Sequence, residues 1–176
     1  MPSGKTHDAI TLLLAVPTFA AAWGVTGSLV LAGVATAATL FGGLMFGPDL
    51  DIQSRQYTRW GALRFLWLPY KLMFRHRSRW SHGILFGTLI RVVYFVGVLA
   101  LGAAIGFYVY MSYVVGQPPD AEEYLRAWRG FEAGLKWRGA FKDITLATLA
   151  GLWWGAASHT VTDVTWSVLR KGSQLF

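Results

Sequence analysis

Long apolar runs alternate with short polar motifs along the chain, and the run lengths predict its elements. One run extends from Ala9 to about Val25, a second from Leu29 to Phe46, a third from Gly83 to Val115 and a fourth from Ile144 to Leu169. Each approaches or exceeds the roughly 20 residues that carry an α-helix across a ~30 Å hydrocarbon layer. Trp23-Gly24-Val25-Thr26-Gly27-Ser28 reads as a turn with Ser28 as the next N-cap, so the first two runs form a helical hairpin. Gly42-Gly43 and Gly47-Pro48 loosen and end the second run. The third would reach roughly 50 Å as one helix and must tilt, bend or project.

Two polar stretches lie between these runs. From Ile52 to Trp80, six arginines and Lys71 interleave with Tyr57, Trp60, Phe65, Trp67, Tyr70, Phe74 and Trp80, the pattern of an interfacial segment with rings at headgroup level, broken in two at Pro69. From Asp120 to Lys142, Tyr124, Leu125, Trp128, Phe131 and Leu135 recur at helical spacing and predict an amphipathic surface helix. The expectation is all-α: an integral membrane bundle of four transmembrane helices with interfacial and amphipathic surface helices, residues 1–176 forming a single membrane-embedded metal-binding domain. A signal peptide is the competing reading of the first run, since Lys5 precedes an apolar core and Ala20-Ala21-Ala22 offers a cleavage site. His7 and Asp8 at the start of that core, and a second apolar run close behind it, argue against this.

Composition narrows the picture. Hydrophobic residues make up 54% of the chain and charged ones 14%, too apolar a balance for an ordinary soluble domain. The net charge of +7 raises nucleic acid as a partner, but the basic residues abut the apolar runs, where retention on the cytoplasmic side explains them; nucleic acid is not the expected partner, and membrane lipids are. With no cysteine, a disulfide framework, a thiolate nucleophile and Cys-ligated metal centres are excluded, so any metal must use imidazole and carboxylate.

Those ligand types occupy a few motifs. His7-Asp8 opens the first run, Asp49 and Asp51 follow the second, His76 and His82 precede the third, and His159 and Asp163 lie near the end of the fourth. Four spans bring all of these ends to one membrane face. In an extended segment Asp49 and Asp51 would point to the same side; on a helix His159 and Asp163, at i and i+4, share a face. Each motif has a bland alternative: a first-turn acid at Asp8, a helix-ending turn at Pro48-Asp49, headgroup contacts for the arginines, and a structural His–Asp hydrogen bond at His159. Their agreement on one face favours a shared metal site of His7, Asp8, Asp49, Asp51, His76, His82, His159 and Asp163. Eight donors exceed the needs of one catalytic zinc, so one or two divalent ions are expected, zinc first, with manganese or iron as alternatives. The shared face carries ten lysines and arginines against five in the far loop, which orients the site and both termini to the cytoplasm.

Ser3-Gly4-Lys5-Thr6-His7-Asp8, Gly47-Pro48-Asp49-Leu50-Asp51, Arg59-Trp60-Gly61, Trp67-Leu68-Pro69-Tyr70, His76-Arg77-Ser78 with Ser81-His82, and His159 with Asp163 resemble a bacterial family of uncharacterised integral-membrane metal-binding proteins. The thinner pattern of Pro-Asp-x-Asp, His-Arg with Ser-His, and His-x-x-x-Asp is similar to inner-membrane metal-dependent hydrolases, themselves related to zinc phospholipase C and zinc nucleases. The resemblance implies a multi-pass protein of the bacterial inner membrane, a helical metal site built from the eight residues above, and phosphoester hydrolysis.

The expected function is therefore a membrane-bound metal-dependent hydrolase of a phosphoester at the cytoplasmic membrane face, its substrate a phosphorylated or lipid-linked small molecule. Asp51 or Asp8 would serve as base, and Arg77, Arg79 or Arg91 would bind the substrate anion. The alternative is a non-catalytic metalloprotein whose ion staples the helix ends or mediates a partner interaction. A transporter is disfavoured, because apart from Arg91 the spans carry no charge near their middles.

Overall fold

The computed structural model describes residues 2–74, 78, 80, 83–84, 86–136 and 141–172. Among them every regular element is helical. The chain forms two compact units, one of residues 1–92 with 143–176 and one of residues 93–142.

In the first unit, α1 (Gly4–Thr26) and α2 (Leu29–Leu44) form the expected hairpin. Gly27 closes α1 in the left-handed region at φ 63°, which a residue without Cβ adopts cheaply, and its N–H donates to the Trp23 carbonyl. The Ser28 hydroxyl then accepts from the Leu31 N–H, as an N-cap does. Pro17 lies inside α1.

Pro48–Asp51 is a 3₁₀ helix, not the extended segment expected from the sequence. Proline suits the first helical position, where its missing N–H is no loss. With three residues per turn, i and i+2 no longer share a side, so Asp49 and Asp51 diverge. The following segment folds into α3 (Arg55–Thr58), a 3₁₀ helix at Gly61–Trp67 and α4 (Leu68–Met73), which Pro69 helps to start. Its rings do not all face outward: Trp67 and Tyr70 are fully buried. Trp67 meets Phe46, Trp60 and Tyr70 edge-on at 5.3–5.7 Å, an arrangement that suits the aromatic quadrupole. Leu63, Phe65, Leu68, Leu72 and Met73 remain exposed.

α5 runs from Phe86 to Tyr110 and ends in a π-helical turn, Met111–Val115, and the last helix of the chain, α7, spans Phe141–Gly172. Between them the second unit carries α6 (Ala121–Lys136), the predicted amphipathic helix. Tyr124 packs on Phe107 at 5.2 Å and donates its hydroxyl to the Ala104 carbonyl, while Trp128 and Phe131 stay exposed.

Glycines set the approach of α7 to the hairpin. A Cβ on Gly151 would overlap the Ala35 carbonyl, one on Gly155 the Thr39 carbonyl, and one on Gly43 the Thr11 side chain. Small residues thus let the backbones come close.

Among the described residues two helices, Gly4–Thr26 and Phe86–Val115, are long and apolar enough to cross a membrane, where four spans were expected. α2 has 16 residues, about 24 Å of rise, because its glycine-rich end unwinds before Pro48. α7 has the length, but polar residues including His159 and Asp163 dilute its apolar character.

Candidate metal centre

The first turns of α1 and the C-terminal half of α7 face each other, and this pairing builds the site. His7 and His159 stack with ring centroids 3.8 Å apart and planes inclined by 11°. His7 Nε2 lies 3.2 Å from Asp163 Oδ1; His159 Nε2 lies 3.7 Å from Asp163 Oδ2 and 3.3 Å from Asp49 Oδ2. His159 and Asp163 are one helical turn apart, so the i, i+4 expectation is met. Donor atoms of His7, His159 and Asp163 all lie within 4.8 Å of one another.

Burial grades across the site. Both imidazoles are nearly sealed, whereas the Asp163 and Asp49 side chains keep 14% and 23% of their exposure, so water reaches the carboxylate side. His7 Nδ1 is buried without a hydrogen-bond partner among the described residues. Two imidazoles and two carboxylates packed this closely form a donor set that suits a divalent ion of the zinc, manganese or iron type.

Gln56 holds this arrangement. Its Nε2 donates to the Gly43 carbonyl at 2.7 Å, its Oε1 accepts from the Asp49 N–H at 3.2 Å, and the amide nitrogen faces His159 Nδ1 at 3.4 Å. The Ser54 hydroxyl donates to the Asp49 carbonyl at 2.7 Å. One buried amide therefore joins the end of α2, the 3₁₀ turn and α7. Nothing in the sequence singled out Gln56, because a lone amide in an aromatic and basic stretch has no periodic signature.

The other expected site residues are placed elsewhere. Asp8 is turned to Arg59 as a bidentate pair at 2.8 and 2.6 Å, with Arg55 at 3.0 Å. Arg59 also donates to the Leu44 carbonyl at the end of α2. Two arginines read as headgroup contacts thus tie α1 to α3, and Asp8 is engaged by them. Asp51 is buried and acts electrostatically on Tyr70 and Arg91. Arg91 points inward at 2% exposure, donates to Thr88 Oγ1 at 3.1 Å, hydrogen-bonds Tyr70 and feels the charges of Asp51 and Asp49. Burial pushes the Tyr70 hydroxyl above the ordinary tyrosine range, against the opposing pull of the Arg91 guanidinium. His76, His82, Arg77 and Arg79 lie outside the described residues.

Described residues that are helical throughout their regular elements and hold a buried His–Asp donor set define a candidate helical metalloprotein. Residues 2–172 match the family described as "Uncharacterized metal-binding protein (DUF2227)", and the chain belongs to that family. It is also similar to an uncharacterized protein of Aquifex aeolicus (strain VF5), 39% identical over 56 residues, which are 31% of this chain and 39% of that protein. The chain thus covers well under half of that relative. No solved structure matches it.

Proposed function

We propose that this metal-binding protein is a membrane-bound, metal-dependent hydrolase of a phosphoester, with one or two cations held by His7, His159, Asp163 and Asp49. The observation that carries the reading is the convergence of these four side chains, with the Asp49 side open to solvent and a buried guanidinium, Arg91, within electrostatic reach of Asp49 and Asp51. A structural site is closed by its protein ligands; a catalytic one keeps a position open. When bound, a divalent ion supplies Lewis-acid charge and an acidified water. The chain's own part is to exclude solvent on the imidazole side, to present Asp49 and Asp163 as acceptors, and to hold positive charge at Arg91 where phosphoryl oxygens gain negative charge.

The membrane setting rests on α1 and α5 and on the apolar side chains they expose, Leu13 and Val16 at about three quarters among them. In the full reading α2 and α7 complete a four-span bundle in the bacterial inner membrane, with the site at the basic, cytoplasmic face. A lipid-linked substrate is supported by an 860 Å3 groove of mostly apolar lining between α1, α2 and α7. Its walls continue the helix faces that carry the site: Leu14 is two turns from His7, Thr39 one turn from Gly43, and Gly151 two turns from His159.

The test is hydrolysis of bis(p-nitrophenyl) phosphate and of phospholipids by protein reconstituted in vesicles. Turnover that requires added metal and disappears in His159→Ala and Asp51→Ala, each still monodisperse, is expected. Metal-loaded protein that turns over none of these substrates would overturn the hydrolase. A second reading, an ion that only staples the fold, is favoured by the distance in sequence between His7, Asp49 and Asp163; it requires metal binding with no open coordination position.

A further inference from the structure

Resting on the metal-binding reading above, we infer that the site holds two divalent ions bridged by the carboxylate of Asp163, one on His7 and one on His159. The ring geometry carries this. Imidazole binds a cation along the nitrogen lone pair, which lies in the ring plane, at about 2.1 Å. The His7 and His159 rings are stacked 3.8 Å apart and only 11° from parallel, so their planes do not meet near the nitrogens. A single ion midway between them would sit roughly 60° out of either plane at a bond length of about 2.1 Å, far from the lone pair. Two ions, each in its own ring plane, take up the stacking distance, which falls within the ~3.5–4 Å separation of two-metal centres.

Asp163 is oriented to match. It offers Oδ1 to His7 Nε2 at 3.2 Å and Oδ2 to His159 Nε2 at 3.7 Å, one oxygen for each imidazole. Oδ1 is buried beside His7 Nε2, and His7 Nδ1 is buried without a hydrogen-bond partner among the described residues. The two positions are unequal: Asp49 Oδ2 stands 3.3 Å from His159 Nε2, which gives that ion three protein donors, while His7 and Asp163 supply two for the other. The His159 position fills first, and the His7 position, with fewer protein donors, binds more weakly.

The experiment is a manganese(II) titration of chelator-stripped, detergent-purified full-length protein, followed by elemental analysis after gel filtration and by electron paramagnetic resonance. The first equivalent is expected to give an isolated six-line signal. The second is expected to replace it with an exchange-coupled pair signal, at two ions per chain. His7→Ala should keep one ion and show no coupling; Asp163→Ala should abolish coupling. One ion per chain, lost alike from His7→Ala and His159→Ala, would overturn the two-ion site and leave the metal-binding reading standing. No bound ion at all would overturn both. If the variants do not fold, the wild-type signal decides alone, because coupling requires two ions at this separation.

Discussion

Asp8 and Asp49 are both acids at the edge of apolar helices, yet they meet different partners. Asp8 accepts from Arg59 and Arg55, while Asp49 faces His159. Asp49→Ala is therefore expected to lose most of its bound metal with the fold retained. Asp8→Asn should keep its metal and lose about 1 kcal/mol, the scale of a partly exposed ion pair; metal analysis beside thermal unfolding separates the two. At Tyr70 the effect is pH dependent. A raised folded-state pKa means the folded form holds its proton longer than the unfolded chain does. The associated stability is complete below about pH 10, the ordinary tyrosine value, and is lost as pH rises through the higher folded value. Unfolding midpoints measured across alkaline pH should show this loss in the wild type and lack it in Tyr70→Phe.

Among the elements, α7 does most to position the site, since it carries His159 and Asp163 and reaches α2 through glycines. Gly155→Ala would drive a methyl into the Thr39 carbonyl and the Gly43 backbone. A cost of roughly 1–3 kcal/mol is expected, with metal content falling in parallel as His159 moves relative to Asp49. The i, i+4 pair, the Ser28 cap and the amphipathic α6 were legible from local pattern, because each depends on residues within a turn or two. The 3₁₀ turn at Pro48–Asp51 was not, because proline is compatible both with an extended entry and with a first helical turn.

For the molecule as a whole, an ion that bridges α1, the 3₁₀ turn and α7 binds the folded chain and not the unfolded one. Free metal at 100 times Kd should add about 2.7 kcal/mol of stability, and chelation should remove it. Thermal unfolding in detergent at graded free metal would show a midpoint rising with the logarithm of metal concentration. A midpoint indifferent to metal would mean that the site does not join these elements.

The sequence by itself determined the helical class, the apolar runs, the absence of thiolate chemistry and the clustering of imidazole and carboxylate in a few motifs. These follow from composition and short-range periodicity. Only the tertiary structure decided which donors meet: His7 with Asp163, Asp49 with His159, Asp8 with two arginines and Asp51 with the Arg91–Tyr70 pair. Those pairings depend on how closely the helices approach and on one short segment winding as a 3₁₀ turn, and neither leaves a mark in the spacing of residues along the chain.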